Sequence, residues 1–231
     1  MIASRVAAVR ERIARAAARA GRPPDEITLI AVSKTQPADL VREAFGAGLR
    51  HFGENKVQEA EDKIAALSDL RAEGLRWHMI GHVQSNKGRR AAELFDSVDS
   101  VDDATLAKRL ERGAESARKQ LPVLVQVDLG KEATKFGLDE AHLFPALEQL
   151  RGYKAVHVEG LMVLPPLAED PEEARPYFRR LRELLEEARR QGLVRGRALS
   201  MGMSHDFEVA IEEGATHVRV GTALFGERKK P

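Results

Sequence analysis

The sequence predicts a closed (β/α)8 barrel, an α/β fold of the TIM-barrel type, preceded by one extra helix. Eight short apolar runs rich in β-forming residues alternate with longer segments of helical period, the pattern of βα units around a parallel sheet. The length of 231 residues is close to the ~250 residues usual for such a barrel. No Gly-x-Gly-x-x-Gly motif follows the first run, which counts against a doubly wound dinucleotide-binding sheet. We therefore expect residues 1–231 to form a single barrel domain.

The first element in chain order is an amphipathic helix within the first 20 residues. Ile2, Val6, Val9 and Ile13 fall on one face of this helix and arginines on the other, and Gly21 with the prolines that follow ends it. The segments between the later apolar runs carry apolar residues at helical spacing and are predicted to be the barrel helices. The eight predicted strands begin at Ile27, Leu49, Leu75, Leu94, Pro122, Val156, Arg197 and His217.

The composition excludes several classes of protein. With 37 basic and 36 acidic side chains the formal charge is +1, so neither nucleic acid nor a membrane surface is expected as a partner. The absence of cysteine excludes a disulfide scaffold, a thiol nucleophile and a cysteine-ligated metal. No apolar run approaches the ~20 residues that span a bilayer, and the arginine-rich N-terminus lacks the apolar stretch of a secretory signal. We expect a cytoplasmic, monomeric protein without a metal site.

Lys34 is the first candidate for chemistry. It follows directly on the apolar run of the first strand, and in a barrel the carboxyl ends of the strands line the active face. An ammonium group at a buried strand end is costly unless its pKa falls or it is paired. Lys34 is therefore predicted to be an amine suited to Schiff-base formation with a carbonyl compound. The alternative is a strand-end lysine that simply reaches into solvent.

The loops after the seventh and eighth strands form the second candidate. The motifs Ser-Met-Gly-Met-Ser at residues 200–204 and Arg-Val-Gly-Thr at residues 219–222 combine glycine with small hydroxyl residues just before helical segments. Backbone N–H groups and hydroxyls can converge on an anion in such loops, and this is the usual phosphate-binding position of barrel enzymes. The alternative is ordinary turn chemistry, with Ser204 as a helix cap. Two neighbouring loops of this kind favour phosphate binding.

A Schiff-base lysine and a phosphate-binding site at one barrel mouth describe a site for a phosphorylated carbonyl compound. Pyridoxal 5′-phosphate and the sugar phosphate of a Schiff-base aldolase both fit this description. Arg219 favours the first, because a permanently charged donor two residues before Gly221 can reach a pyridine nitrogen and keep it unprotonated. Lys131 and Lys135, in the loop after the fifth strand, keep the aldolase hypothesis open.

Three other polar segments are weaker candidates. Asn55, after the second strand, is predicted either to bond a ring hydroxyl or to cap a helix. His78 and His82, without a carboxylate at ligand spacing, are predicted to pack and hydrogen-bond rather than to bind metal. The acidic residues near the fourth strand are predicted to serve turns and caps rather than a magnesium site. These acidic residues are Asp96, Asp99, Asp102 and Asp103.

Several of these motifs together resemble the pyridoxal phosphate homeostasis protein family. The motifs are Ala-Val-Ser-Lys-Thr around Lys34, Phe-Gly-Glu-Asn from Phe52, Trp-His-Met-Ile-Gly from Trp77, residues 200–204 followed by Asp206, and the run from Val218 to Gly226. The resemblance covers nearly the whole chain in the same order. It implies a fold type III barrel, similar to the N-terminal domain of alanine racemase, that binds pyridoxal phosphate.

The resemblance also implies roles for individual residues. Lys34 holds the cofactor as a Schiff base, Ser200, Gly221 and Thr222 hold the phosphate, Arg219 faces the pyridine or the phosphate, and Asn55 lies near the ring. The sequence departs from the expected family pattern at Val163, where a more polar residue is expected, and this leaves the contribution of the sixth strand open.

We expect vitamin B6 homeostasis without efficient catalysis, with storage of the aldehyde or its delivery to apo-enzymes that use pyridoxal phosphate. Racemisation needs acid and base groups on both faces of the cofactor. In the racemases that the sequence resembles, one of these groups is a tyrosine contributed through a second domain, which this sequence lacks. Tyr153 and Tyr177 are the only tyrosines, and neither is predicted to face the site. A low-activity amino-acid racemase is the alternative, and no residue is assigned a catalytic role.

Overall fold

The structure is a computed structural model that describes residues 1–131 and 136–226. The strands are β1 (Thr28–Val32), β2 (His51–Glu54), β3 (Arg76–Met79), β4 (Ser97–Val101), β5 (Leu121–Asp128), β6 (Leu138–Asp139), β7 (Val156–Met162), β8 (Ala198–Met203) and β9 (His217–Val220). The α-helices are α1 (Ile2–Arg19), α2 (Ala38–Gly46), α3 (Val57–Ala66), α4 (Ser68–Ala72), α5 (Gly88–Leu94), α6 (Ala104–Ser116), α7 (Glu140–Arg151), α8 (Arg175–Arg190), α9 (Phe207–Glu212) and α10 (Thr222–Phe225).

Within the described residues, eight parallel strands close into a barrel. The order around the barrel is β1, β2, β3, β4, β5, β7, β8 and β9, and β9 pairs again with β1 through Ile30 and Arg219. The β4–β5 pairing, which joins Val98 to Val123, completes the circle. The predicted (β/α)8 barrel with an additional N-terminal helix is confirmed. Closure matters for function because it gathers the carboxyl ends of all the strands at one mouth.

Two details of the predicted strands were wrong. The fourth strand begins at Ser97 rather than at Leu94, because Leu94 ends α5 and Phe95 is buried directly after that helix. A short apolar run has no period of its own, so sequence cannot separate a buried helix end from a strand. The second difference is β6, which was not predicted. Its two residues pair with Val127 and Asp128 at the end of β5, and two residues are too few to show alternation.

The N-terminal helix α1 supports the last two βα units of the barrel. Its buried stripe, which includes Val6, Val9 and Ile13, belongs to the main core, and the helix packs against α9 and α10. Arg12 pairs with Glu208 on α9 at 2.8 Å. Since α9 and α10 follow the two loops predicted to bind phosphate, α1 stabilises the frame of that part of the mouth. None of the helices described is both long enough and apolar enough to cross a membrane.

Candidate functional site

A cavity of about 340 Å³ opens at the carboxyl end of the barrel strands. This size is within the range of small-molecule pockets. Its lining comes from the ends of β1, β2, β3, β8 and β9 and from the loop after β7. The lining residues are Val32, Lys34, Gln36, Asn55, Ile80, Leu164, Leu167, Met203, Ser204, His205, Arg219, Gly221, Thr222, Phe225 and Gly226.

Lys34 lies two residues beyond the end of β1 and lines this cavity, partly buried. The strand direction continues through Ser33, whose N–H donates to Gly53 O at 3.0 Å. The chain then turns sharply, because Thr35 has φ of 65° and Gln36 N–H donates back to Ser33 O at 3.0 Å. A β-branched residue with positive φ is a genuine outlier and needs support from its surroundings. The structure therefore presents Lys34 on a constrained turn rather than on a loose loop.

Arg219, on β9, provides the second cation of the cavity. Its side chain is inside the barrel, only 3% exposed, with Nη1 donating to Ser200 Oγ at 2.6 Å and Nη2 to Val163 O at 2.9 Å. Burial lowers the pKa of Arg219 to about 10, partly opposed by the carboxylates of Asp99 and Asp206, so the guanidinium remains charged at neutral pH. Val163, where the sequence departs from the expected family pattern, contributes through its backbone carbonyl, which any residue type would supply.

Small polar groups from the two predicted anion loops meet on another wall of the cavity. Ser204 Oγ accepts hydrogen bonds from the backbone N–H of Gly221 at 3.3 Å and of Ala223 at 3.4 Å. Gly221 is the N-cap of α10 and Thr222 is its first residue, and both line the cavity. Gly202 has φ of 90°, and a Cβ there would lie 2.6 Å from Ala210 Cβ, so this irregular position near the end of β8 requires glycine.

The two serines of residues 200–204 have different positions. Ser200 is fully buried on β8, does not line the cavity and accepts the hydrogen bond from Arg219. Ser204 lines the cavity, and it does not cap α9, whose N-cap is Asp206. The structure thus brings Lys34, Asn55, Arg219, Gly221 and Thr222 to one cavity and leaves Ser200 behind it, in contact with Arg219. The sequence analysis considered Ser204 chiefly as a helix cap. The glycine two residues before it was the signal in the sequence that it could line the site instead.

Asn55 lies at the mouth between the ends of β2 and β3. It lines the cavity, and the N-cap of α3 is Lys56, so the prediction of Asn55 as a helix cap was wrong. A Cβ at Gly81 would lie 2.5 Å from Asn55 O, which shows how closely the two loops pack. The glycine after β3 therefore sets the position of Asn55.

The electrostatic character of the cavity is cationic. Lys34 and Arg219 are in the lining, whereas none of the lining residues described is an aspartate or a glutamate. An amine beside an anion-binding wall fits a ligand that carries both a carbonyl and a phosphate. The cavity residues therefore fit the cofactor that the sequence implied. Only one lysine is in the described lining: Lys131 is exposed elsewhere, and Lys135 lies outside the described residues.

The other residues singled out in the sequence lie away from this cavity. His82 pairs with Asp102 at 2.8 Å and His78 with Asp99 at 3.1 Å. Asp99 is 1% exposed inside β4, so the prediction that it serves a turn or cap was wrong, whereas Asp103 does cap α6. Tyr153 and Tyr177 are not in the described lining of the cavity. Among the residues described, no group of histidines and carboxylates has the arrangement of a metal site.

The fold and this mouth are those of the alanine racemase N-terminal domain family, whose sequence profile matches residues 5–229. Alanine racemase from Corynebacterium glutamicum has the same fold over 96% of this chain and 60% of its own, with a TM-score of 0.68 and 20% identity.

Closer relatives are named for one function. The pyridoxal phosphate homeostasis proteins of Aquifex aeolicus and Pseudomonas aeruginosa are 46% and 47% identical, over 97% and 98% of this chain and 97% and 96% of their own lengths. PipY of Synechococcus elongatus, solved with pyridoxal phosphate bound, superposes with a TM-score of 0.85 and 44% identity over 98% of this chain and 100% of its own. The chain belongs to the pyridoxal phosphate homeostasis protein family, as its motifs indicated.

Proposed function

We propose that this protein binds pyridoxal 5′-phosphate in the mouth cavity and serves intracellular vitamin B6 homeostasis in the cytoplasm. The observation that carries the proposal is the meeting of Lys34, Arg219 and the Ser204–Gly221–Thr222 wall around one cavity without a carboxylate in its described lining. The homeostasis relatives and the PipY complex support it. When bound, the cofactor supplies an aldehyde that condenses with a lysine amine to a Schiff base, with release of one water.

Several residues in or next to the cavity have proposed roles. Lys34 Nζ is the amine that holds the cofactor, and its constrained turn keeps the amine at the mouth. Gly221, Thr222 and Ser204 bind the phosphate, with Ser204 in the place first given to Ser200. Ser200 instead fixes Arg219, which faces the pyridine ring or the phosphate. Asn55 is a neighbour of the ring. Leu164 and Leu167 limit the access of water from the loop after β7.

The proposed role is binding and release rather than turnover. Neither tyrosine is in the described lining, so the cavity lacks the tyrosine that serves as the second acid or base in the racemases that the sequence resembles. A charged Arg219 near the pyridine nitrogen would keep that nitrogen unprotonated and weaken the cofactor as an electron sink. We propose that the cofactor is stored or handed to apo-enzymes by a monomer formed from residues 1–231 as one domain.

Borohydride reduction of the cofactor-loaded protein tests the assignment of Lys34. Peptide mass analysis is expected to find the pyridoxyl-phosphate adduct on Lys34, and Lys34→Ala is expected to lose the visible absorption band. Truncation removes little buried packing, so far-ultraviolet circular dichroism of the variant should match the parent. An adduct on another lysine alone would contradict the site.

The absence of efficient turnover is tested with amino acids in deuterated water. The loaded protein is expected to exchange the Cα proton of L-alanine slowly and to give no multiple-turnover inversion, because only one face of the ligand has an amine. Chiral analysis separates inversion from simple exchange. Inversion at about 1 s⁻¹ or more, within the usual enzymatic range, would favour the racemase alternative.

A further inference from the structure

A buried ion pair lies directly behind the turn that carries Lys34. Lys63, on α3, is 7% exposed and donates to Glu54 Oε1 at 2.7 Å, and Glu54, at the end of β2, is fully buried. Burial raises the pKa of Glu54 above its ordinary value, and the ammonium of Lys63 opposes that rise. The second carboxylate oxygen of Glu54 is buried without a hydrogen-bond partner in the structure described. Neither residue lines the cavity.

Both members of the ion pair are hydrogen-bonded to Ser33, the residue before Lys34: one to its backbone carbonyl and the other to its side-chain hydroxyl. Lys63 Nζ donates to Ser33 O at 2.8 Å, and Ser33 Oγ donates to Glu54 Oε1 at 2.7 Å. The carbonyl of Ser33 also accepts Gln36 N–H, so the ammonium and the turn meet on one oxygen. Ser33 and Lys63 are 30 residues apart in the sequence, and the parallel pairing of β1 with β2, which α3 follows, brings α3 against the end of β1.

The same helix holds the residue that follows Lys34. Glu59 accepts a hydrogen bond from the backbone N–H of Thr35, the residue with positive φ, and lies 3.5 Å from Lys63 Nζ. Lys63 therefore connects two carboxylates, one bonded before Lys34 and one bonded after it. These contacts oppose the relaxation of a strained turn.

Stability alone does not explain this arrangement. The desolvation of a buried ion pair offsets most of its Coulomb energy, and apolar residues of similar volume often serve as well. We propose that Lys63 is a positioning residue which, through Glu54 and Glu59, holds the turn at residues 33–36 so that Lys34 Nζ meets the cofactor aldehyde. This inference rests on the proposed function only in taking Lys34 as the cofactor lysine. A pre-ordered turn favours bond formation because less conformational entropy is lost at that step.

The test compares Lys63→Met, the double variant Lys63→Met with Glu54→Gln, and Lys119→Met as a matched control. Lys63→Met alone leaves Glu54 buried without its partner and is expected to lower the melting temperature. The double variant removes both charges, recovers most of that stability, and still lacks the ammonium bond to Ser33. Lys119 is a suitable control because its ammonium donates to a backbone carbonyl, Phe95 O at 2.5 Å, far from Lys34 in the barrel order.

Two measurements separate positioning from general damage. Hydrogen exchange of the cofactor-free double variant is expected to be at least about tenfold faster for a peptide covering residues 33–36 and unchanged for one in β5. The Kd for pyridoxal phosphate is expected to rise at least about tenfold, whereas the Kd for pyridoxamine 5′-phosphate, which has no aldehyde, changes less than about twofold. Lys119→Met should match the parent in both. If the double variant does not fold, Glu59→Ala, at a partly exposed site, is expected to speed exchange of the Thr35 amide.

Each result decides one question. The role of Lys63 would be overturned if the double variant exchanged residues 33–36 and bound pyridoxal phosphate as the parent does. It would also be overturned if the binding of both ligands weakened equally, because that result marks collapse of the pocket. If the parent protein formed no adduct on Lys34, the proposed function would be refuted. The hydrogen exchange of residues 33–36, measured without cofactor, would still decide whether Lys63 orders the turn.

Discussion

The two ends of the barrel both contain buried charged side chains, but they use them differently. At the carboxyl end, Lys34 and Arg219 line a cavity that contains no carboxylate among its described residues. At the amino end, another cavity of about 400 Å³ is lined by His78, Asp99, His217 and neighbouring strand starts. In the second cavity the carboxylate of Asp99 has hydrogen-bond partners within the protein, His78 and Ser97.

The amino-end cluster forms a chain of side-chain contacts. His51 Nδ1 lies 2.9 Å from His78 Nε2, His78 Nδ1 lies 3.1 Å from Asp99 Oδ2, and Ser97 Oγ also donates to Asp99. His217 Nδ1 lies 2.8 Å from Thr216 Oγ1. Burial lowers the pKa values of His51 and His217 to about 4, so both rings are neutral at neutral pH.

The comparison separates a cluster built around the carboxylate of Asp99 from a cavity lined by Lys34 and Arg219 with no carboxylate in its described lining. Buried polar groups that hydrogen-bond one another around one carboxylate are typical of the end of a barrel that serves stability. The cations at the mouth line the cavity for which we propose an anionic ligand. The ends are nevertheless connected, because Asp99 at the amino end raises the pKa of Arg219, opposing the effect of burial.

The largest expected effect concerns the mouth. Ser204→Ala with Thr222→Ala is expected to raise the Kd for pyridoxal phosphate at least about 100-fold, because each charge-assisted bond to the phosphate contributes about 1.5 to 3 kcal/mol. Ser200→Ala, which acts only through Arg219, should raise it less than about fivefold. Fluorescence titration measures both constants. Equal effects of the two variants would place the phosphate deeper in the barrel, beside Ser200.

The amino end is expected to control stability in acid. Between pH 6.5 and 4, His51 and His217 become protonated in the unfolded chain but stay largely neutral in the folded protein. The free energy of unfolding should therefore fall as the pH is lowered through this window, by at most about 1.4 kcal/mol per pH unit for each histidine, and less for the more exposed His51. Above this window these residues should add no pH dependence.

Urea unfolding at several pH values checks this expectation. His51→Asn with His217→Asn should flatten the dependence between pH 6.5 and 4, whereas His142→Asn, at an exposed position on α7, should leave it as in the parent. An unchanged slope in the double variant would assign the acid sensitivity to other groups.

The smallest expected effect tests the connection between the ends. The pKa of Arg219 is about 10, and the carboxylate of Asp99 raises it. Asp99→Asn removes this carboxylate and is therefore expected to lower the pKa of Arg219. Arg219 then remains charged at pH 7, and the Kd for pyridoxal phosphate should change less than about threefold there, with a larger increase at pH 9. A large loss of affinity at pH 7 would show that the amino end shapes the cofactor cavity directly.

The sequence by itself determined the barrel, the helix before it and most of the mouth. Strands of a parallel sheet are buried on both faces, so each appears in the sequence as a continuous apolar run between helical segments. This pattern can be seen in the sequence alone. Lys34, Arg219, Gly221 and Thr222 were identified because they stand where a run ends, and run ends share one rim of a barrel.

The tertiary structure alone decided which serine lines the cavity and what stands behind Lys34. Ser200 and Ser204 are four residues apart, so alternation along a strand puts them on the same face and cannot distinguish them. The irregular pairing of β8 around Gly202 separates them: Ser200 is buried within the strand, and Ser204, just beyond its end, lines the cavity. The contacts of Lys63 with Ser33 and of Asp99 with His78 join separate elements. Sequence spacing carries no signal for such pairs, because they form only when neighbouring strands have paired in a defined register.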